Sequence, residues 1–554
     1  MTAIAARPEA PPRRWREDGT ASPLPTWASF AVAALPLIVA AIAIVVRRPV
    51  IDWSGDRALT ELGVREAVHG HQLLGVGGRF GWRHPGPLWL QLLVPGYELT
   101  GHAPWSLAVG AIALHIAMIG IAIAAVARGA GRRGAVVLAA AVALYLRATG
   151  MRYWTNLWAG YAITWPLLAL LAVAALGSSR RRDVWALPGA VLLGTLLVQT
   201  DVSTAVVVLV VVAGAAGLRA ARSLRARPGR RTAGAAVSTG PAPAPAGRGA
   251  VAVAAALVLL VVAAWAAPLV QQATHHPGNI TLLVRFARAG AGGHPLRLAL
   301  ASVGAAMSVL PAGARWVLRP GVEQHLGAGP LWGVAVTVAG MAGCAAVAVV
   351  AWRRGRTFAG DLALLTALGI VAGVVSISRI DGPVYFYLLT WVTILPVSGV
   401  TAAVLALWPA TRDRDWATPA VFAVAATVAV GVALLHGGQQ DWDRQASGDV
   451  AAQTSLATRA LGPSARGLVL VHVVTSDTWP DGAGVALQLQ RGGAQIEVDR
   501  GWVFLFGDAF APRRTPPSAE LWFARPHEAP DLRGIPRIVE LGRVHGVDVY
   551  ARRN

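Results

Sequence analysis

Long apolar runs recur along this 554-residue chain and constrain its fold more than any other feature. A helix needs about 20 apolar residues to cross a hydrocarbon core of about 30 Å. Hydrophobic residues make up 55% of the chain and charged residues only 14%, which is typical of membrane proteins. The sequence therefore predicts an all-α polytopic membrane protein. About eleven spans are predicted, near 27–46, 104–127, 133–148, 157–177, 184–199, 201–218, 249–269, 331–352, 360–377, 386–408 and 416–436.

Arginine supplies every positively charged side chain, and the arginines cluster in polar breaks between the predicted spans. Basic loops stay on the cytoplasmic side of a membrane. A cytoplasmic amino terminus places all of these clusters in the cytoplasm and the carboxyl terminus outside, so the net charge of +21 indicates orientation in a plasma membrane rather than nucleic-acid binding. If the apolar stretch at 295–311 crossed the membrane, the arginines at 353–356 would lie outside. We therefore expect an external interfacial or re-entrant helix there. The clusters lie at 128–133, 178–183, 219–231, 353–356 and 411–415.

Composition divides the chain into three parts. Residues 1–26 are polar and rich in proline and arginine, which predicts a disordered cytoplasmic terminus. Residues 27–436 form the predicted membrane domain, with a disordered cytoplasmic loop at 219–248 and external loops at 48–103 and 270–330. The single cysteine, Cys344, leaves no intrachain disulfide.

Residues 437–554 have a different composition, which predicts a small external α/β domain. Strand-like runs lie at 467–474, 501–507, 519–524 and 546–551, with a helical stretch between the first two. No nucleophile or metal motif is recognisable in this part. We therefore expect the domain to orient an acceptor rather than to perform chemistry.

The first external loop, 48–103, is unusually rich in charge, histidine and glycine for its position. "RALTELGVREAVH", from Arg57 to His69, has the spacing of an amphipathic helix, and 84–101 predicts a second one. Asp56 is either an N-terminal cap of the first helix or a functional carboxylate. The glycines of "GVGGRFG" do not have the spacing of a dinucleotide-binding loop.

The stretch "GDRALTELGVREAVHGHQLLGVGGRFGWRHPGPLWLQLLVPGYELTG" resembles the first external loop of actinobacterial proteins of the C-type glycosyltransferase superfamily (GT-C). Weaker similarity follows in the same order over the membrane part. These segments are "TNLWAG" at 155–160, "LLVQTDVST" at 196–204, "WAAPLVQQATHHPGNITLL" at 265–283 and "SISRIDGPVYFYLLTW" at 376–391. Asp201 stands where the resemblance leads us to expect a histidine.

The resemblance implies an inverting enzyme that moves a sugar from a polyprenyl-phosphate donor to a cell-envelope glycan, lipid or protein outside the membrane. It implies an aspartate general base, which we assign to Asp56, with Asp52 and Glu61 as alternatives. The expected partners are the lipid-linked sugar, the acceptor glycan and membrane lipids, with no nucleic acid. The expected substrate- and phosphate-binding residues are Arg79, His84, Asn156, Gln199, Asp201, Gln271, Asn279, Arg379 and Tyr387.

No cofactor is predicted with certainty. His275 and His276 are adjacent and leave a divalent metal possible, but no carboxylate is placed beside them in the sequence, and no metal ligand is assigned. Two other classes of function also fit a polytopic chain. A transporter or flippase of lipid-linked glycans is expected to show internal repeats, which the sequence lacks. A non-catalytic scaffold that binds envelope glycan would not need the loop carboxylates.

Overall fold

The computed structural model describes residues 25–151, 153–225, 248–289, 293–308, 331–408, 416–438, 444–528, 532 and 534–553. A helical membrane bundle is followed by a small unit with a five-stranded sheet. The helices of the bundle are α1 (Thr26–Arg47), α2 (Gly55–Val68), α3 (Leu88–Leu99), α4 (Pro104–Thr149), α5 (Ala159–Ala162), α6 (Thr164–Ser179), α7 (Ala186–Thr200), α8 (Ala205–Arg225), α9 (Arg248–Ala264), α10 (Ala266–Thr274), α11 (Asn279–Ala289), α12 (Leu296–Met307), α13 (Leu331–Arg353), α14 (Thr357–Ser378), α15 (Leu395–Leu407) and α16 (Ala417–His436). Short 3₁₀ segments lie at Val202–Thr204 and Phe386–Ile394.

The predicted spans all lie on helices of the described chain. Nine helical segments in this part are long and apolar enough to cross a membrane. One of them, α4, has 46 residues and contains two predicted spans that meet at Gly131, where φ is +78°. This backbone conformation is readily open only to glycine, so the helix can turn sharply there. Counting both halves of α4 and adding the 15-residue α7 recovers the eleven predicted spans.

One end of the bundle, which we call the arginine-rich end, holds the described arginines of the predicted cytoplasmic clusters. The last carbonyl groups of a helix have no partner within that helix, and here neighbouring arginines supply the missing donors. Arg219 donates to the carbonyl of Gly177 (2.7 Å), and Arg356 donates to that of Leu405 (2.6 Å). The described members of these clusters lie at one end of the bundle as predicted, while residues 226–231 and 411–415 lie outside the described residues.

The opposite end carries the sheet-containing unit, and we call it the domain end. Helix α12 enters the bundle from this end, where the backbone N–H of His294 donates to the carbonyl of Ser378 (3.0 Å). It ends deep beside α13, since a Cβ added to Gly340 would lie 2.6 Å from Met307. With 12 residues it is about 18 Å long and cannot cross alone. The helix is mostly buried, which fits the re-entrant alternative of the prediction better than the interfacial one.

The sheet-containing unit spans residues 444–553 and has mixed strand directions. Its sheet has the order β2-β1-β3-β5-β4, in which β1 is parallel to β2 and β3, and β5 is antiparallel to β3 and β4. Its elements are α17 (Arg444–Leu461), β1 (Leu468–Val473), α18 (Trp479–Arg491), β2 (Gln495–Val498), α19 (Val503–Phe506), β3 (Ala519–Ala524), β4 (Val539–Val544) and β5 (Val547–Arg553).

Three of the four predicted strands of this unit are confirmed as β1, β3 and β5. The predicted strand at 501–507 is wrong, because this run forms a 3₁₀ turn and the short helix α19. A short apolar run does not distinguish a strand from a buried helical turn by periodicity, and here Leu505 and Phe506 are buried in the core. Strands β2 and β4 were not predicted.

The sheet-containing unit and the first loop share one hydrophobic cluster. Trp53 and Leu62 of the loop belong to the same buried core as Val469 and Phe523 of the sheet. A Cβ on Gly77 would lie 2.6 Å from the Cα of Leu505, so the two backbones touch there. We call residues 48–103 and 444–553 together the platform. Because this core is continuous, the unit is part of the structure that holds α2 in place.

Candidate functional site

Residues 75–87 of the first loop form a compact turn at the domain end, which we call loop 75–87. The backbone N–H of Gly75 donates to the carbonyl of His84, and the N–H of His84 donates to the carbonyl of Val76, both at 3.0 Å. The rings of Phe80 and Trp82 pack on Phe286 of α11, with centroids 4.8 and 5.5 Å away. The Gly/Pro-rich sequence thus folds into a fixed backbone rather than a tether.

Two predicted site residues from the α10–α11 region hold this loop through its backbone. Asn279 accepts from the N–H of Arg83 (2.9 Å) and donates to the carbonyl of the same residue (2.8 Å). The side chain of Gln271 in turn accepts from the N–H of Asn279 (2.9 Å). Both amides are buried. Their role in the structure is to position loop 75–87.

His84 lies against the turn between α7 and α8. Its Nδ1 accepts from the backbone N–H of Val202 (3.1 Å), so the neutral ring carries its proton on Nε2. Burial lowers the pKa of His84, and the nearby Asp201 carboxylate opposes this only in part. Asp201 Oδ1 lies 3.9 Å from Nδ1, beyond hydrogen-bond range, and accepts instead from the N–H of Ser203 (2.9 Å). Asp201 thus caps the turn on which His84 rests.

Gln199 packs under the same loop. Its side chain is completely buried, and Nε2 donates to the carbonyl of Ala264 (2.8 Å). A Cβ on Gly86 would lie 2.2 Å from its Oε1, so only glycine fits at that position of the "HPGP" turn. Gln199 therefore determines how closely loop 75–87 packs on α7.

Arg79 joins the loop to the segment that follows α14. Its guanidinium donates to the carbonyl of Asp381 (2.7 Å) and lies 5.1 Å from the ring centre of Tyr385. Tyr387 stacks on Tyr385, with ring centres 5.5 Å apart and nearly parallel planes. Arg379 is exposed at the end of α14 in the same segment. Arg79 thus lies in one region of the domain end with Arg379 and Tyr387, which belong to a segment far from it in sequence.

Asn156 lies in the segment between α4 and α5. Its Oδ1 accepts from the N–H of Trp158 (2.9 Å), which stabilises a local turn. The indole of Trp158 packs against the ring of Tyr387 at 4.8 Å. Asn156 is buried, so its place in the structure is below the aromatic side chains rather than among them.

The three candidate carboxylates have different surroundings. Helix α2 begins at Gly55 with Ser54 as its N-cap, so the expectation of a helix that starts at Arg57 with Asp56 as its cap is wrong. Asp56 lies in the first turn, where the helix dipole favours a negative charge, and it is half-buried. Asp52 Oδ1 lies 3.7 Å from a terminal nitrogen of Arg491.

Glu61 is completely buried, and its carboxylate is fully engaged. Its two oxygens accept from Arg491 at 2.8 and 2.6 Å, and the Tyr97 hydroxyl donates to Oε1 at 2.9 Å. A carboxylate enclosed in this way is not placed to take a proton from a substrate hydroxyl. Glu61 therefore joins α2 to α18 and is a poor candidate for the base.

Arg83 is a residue that the sequence analysis missed, although it lies within "RFGWRHPGP". It is 6% exposed, and its Nε donates to the carbonyl of Gly75 (3.0 Å). The guanidinium lies over Gly507 of the sheet-containing unit, whose added Cβ would be 2.6 Å from Nη1. Burial lowers the pKa of Arg83 to about 10, while Asp508 acts to raise it.

His275 connects the α10–α11 region to the same unit, with Nε2 3.6 Å from a carboxylate oxygen of Asp508. His276 is exposed. Over the described ranges, His, Cys, Asp and Glu residues do not gather in any group of three or more that could hold a metal ion.

The fold and this arrangement define a polytopic membrane protein with the GT-C glycosyltransferase fold. Two solved structures of ArnT from Cupriavidus metallidurans have this fold, one bound to undecaprenyl phosphate and one in the apo state. They superpose on this chain with TM-scores of 0.52 and 0.50 at 15% sequence identity. Each match covers 94% of this chain and 97% of the ArnT chain. Neither a protein-family model nor a curated protein matches the chain. At this identity the likeness shows the fold alone.

Proposed function

We propose that this protein is a membrane glycosyltransferase that moves a sugar from a polyprenyl-phosphate donor to a hydroxyl of a cell-envelope glycan, lipid or protein. One ArnT structure of the same fold holds undecaprenyl phosphate, which supports a polyprenyl-linked donor. The observation that carries the proposal is the gathering of polar loops around loop 75–87 at the end opposite the arginine-rich end. Basic loops favour the cytoplasm, so the domain end and its platform face outside.

A direct displacement inverts the sugar carbon and requires an acceptor hydroxyl that loses its proton. A positioned carboxylate performs this step as a general base. We assign this role to Asp56, because the resemblance aligns it with the acidic position of the GT-C first external loop. It stands in the first turn of α2, at the junction of membrane and platform.

The leaving group is a polyprenyl phosphate, which is already anionic and needs cationic hydrogen-bond donors. Arg79 and Arg379 are exposed beside the segment 379–387, and a guanidinium pairs with phosphate oxygens as a fork. The neutral His84, fixed by the N–H of Val202, carries its remaining N–H on Nε2. We assign donor-phosphate binding to these three residues.

The test uses the full chain in proteoliposomes with a panel of polyprenyl-phosphate pentoses and hexoses, and with extracted envelope glycan as acceptor. We expect transfer by the unmodified protein and at least an about 100-fold slower turnover by Asp56→Asn, which is the low end for a lost general base. Asp56→Asn should still insert and bind polyprenyl phosphate.

Asp52→Asn is the matched control, since it removes a carboxylate from the same loop that already faces Arg491. It should retain most of the turnover. Near-normal turnover by Asp56→Asn would show that Asp56 serves only the start of α2. No transfer with any donor, from a protein that binds polyprenyl phosphate, would contradict the enzyme assignment itself.

A further inference from the structure

The guanidinium of Arg83 is a buried cation whose terminal nitrogens bond to none of the described residues. Only Nε has a hydrogen bond, to the carbonyl of Gly75, and neither Nη1 nor Nη2 bonds to any residue in the described part of the chain. The side chain is 6% exposed, yet its terminal nitrogens are not among the fully enclosed atoms. Buried charged donors without partners are costly. Because these nitrogens are not fully enclosed and bond to none of the described residues, they are available to acceptor atoms of a ligand.

Two parts of the chain far apart in sequence form the walls of this space, which we call the Arg83 crevice. Loop 75–87 supplies Arg83, and the sheet-containing unit supplies Gly507 and Asp508. The guanidinium lies directly over Gly507, where any Cβ would displace it. His275 completes the crevice, 3.6 Å from Asp508. The side chains of His275 and Asp508 are 41% and 42% exposed, so both remain accessible.

The charges of the crevice decide which ligand it suits. Arg83 contributes one positive charge and Asp508 one negative charge, and they are not close enough to form an ion pair. A phosphate group beside Arg83 would be repelled by Asp508. A neutral ligand with adjacent hydroxyls satisfies both groups, because hydroxyl oxygens accept from the guanidinium and a hydroxyl proton is donated to the carboxylate.

We propose that the Arg83 crevice binds adjacent hydroxyl groups of a sugar ring, with Arg83 as donor, Asp508 as acceptor and His275 as a second polar contact. This site rests on the proposed function and deepens it, since it makes the sheet-containing unit part of the sugar-binding site. The sequence predicts that this unit orients an acceptor, and the crevice adds direct contacts with a sugar ring. The sugar is that of the donor or that of the acceptor.

The first experiment measures binding and requires no turnover. Methyl glycosides of pentofuranoses and hexopyranoses are titrated onto the full chain in nanodiscs, with saturation-transfer NMR as the readout. Arg83→Lys keeps the charge but loses the fork, and Asp508→Asn keeps the size but loses the charge. Each should bind at least about tenfold more weakly, as expected when a hydrogen bond to a charged group is lost.

Asp477→Asn is the matched control, because Asp477 is a 57% exposed carboxylate of the same unit that pairs with Arg525 instead. It should bind glycosides as the unmodified protein does. Inorganic phosphate should not compete. Competition by phosphate, unchanged binding by both crevice variants, or no saturable binding by the unmodified protein would each overturn the proposal.

The second experiment identifies the source of the sugar. In the transfer assay, Asp508→Asn should raise KM for the lipid donor if the donor sugar occupies the crevice, and KM for the glycan if the acceptor does. If neither KM changes, the crevice takes no part in substrate binding and the proposal fails, while the proposed function stands. Asp56→Asn should bind glycosides normally without transfer, which keeps the two hypotheses distinguishable.

Discussion

Removal of Arg491 should destabilise the contact between α2 and α18 in the platform, because Arg491 is the counter-ion of the completely buried Glu61. The substitution Arg491→Met keeps much of the apolar stem but leaves Glu61 with only the hydroxyl of Tyr97. Burial and the Glu61 charge raise the pKa of Tyr97 to about 12, so this hydroxyl keeps its proton and continues to donate. Breaking a buried ion pair from one side costs about 3–5 kcal/mol.

Hydrogen–deuterium exchange of α2 and α18 measures this cost locally, without assuming reversible unfolding of the whole membrane protein. A cost of about 3 kcal/mol raises the open fraction more than about a hundredfold. The double variant Arg491→Met/Glu61→Gln removes the unpaired charge together with its partner. It should therefore exchange more slowly than Arg491→Met alone.

Arg525→Met provides the comparison, since Arg525 pairs with Asp477 at 2.8 Å where both side chains are substantially exposed. An exposed pair contributes about 0–1 kcal/mol, so exchange should change by less than about tenfold. If Arg491→Met were as mild as Arg525→Met, or if the double variant opened as readily as the single one, the burial argument would be refuted.

Three further predictions concern other parts of the molecule. Reporter fusions near residues 180 and 355 should be cytoplasmic and those near 75, 285 and 500 external; an external reporter at 355 would contradict the orientation. Asp361→Asn should lower the thermal stability markedly, because Asp361 is completely buried and accepts from Arg222, Ser178 and Trp352; an unchanged melting temperature would refute this. Burial acts to lower the pKa of His472, but hydrogen bonds and charges from Asp499 and Glu520 outweigh it and raise the pKa. The stability from His472 should thus be fully present below about pH 6.5 and be lost as the pH rises through the raised pKa; a His472→Gln variant with the same pH profile as the unmodified protein would count against it.

Hydrophobic runs and arginine clusters predicted the membrane bundle well, because both reflect the membrane in which the chain lies. The apolar runs reflect the thickness of the hydrocarbon core, and the arginine clusters reflect the cytoplasmic bias of charge. Failures occurred where tertiary contacts decide local structure. The apolar run at 501–507 is compatible with either a strand or a helix. Its contact with Gly77 cannot be seen in the sequence. Helix α2 begins at Gly55 rather than at the predicted Arg57, and Gly55 lies beside Trp479 with a positive φ of 55°, a contact that the sequence does not reveal.

The candidate site was predicted in composition but not in the roles of its members. The resemblance identified Gln199, Gln271 and Asn279; Gln271 and Asn279 hold loop 75–87, while Gln199 packs under it and donates to the carbonyl of Ala264. Polar residues that position a loop and polar residues that bind a ligand look alike in a single sequence. Glu61 shows the same ambiguity, because nothing near it in sequence reveals Arg491. Arg83 was missed for the same reason, since Gly507 and Asp508 near it come from a part of the chain far away in sequence.

The two ends of the bundle use arginine in different ways. At the arginine-rich end, Arg219 and Arg356 donate to carbonyls at helix ends, and Arg222 pairs with Asp361. The N–H groups of these arginines already bond to other residues of the protein, so they stabilise helix ends and favour one orientation. At the domain end, Arg83 and Arg379 keep donors that the described residues do not satisfy. The large positive charge therefore does not indicate one anionic partner, because part of it stabilises helix ends.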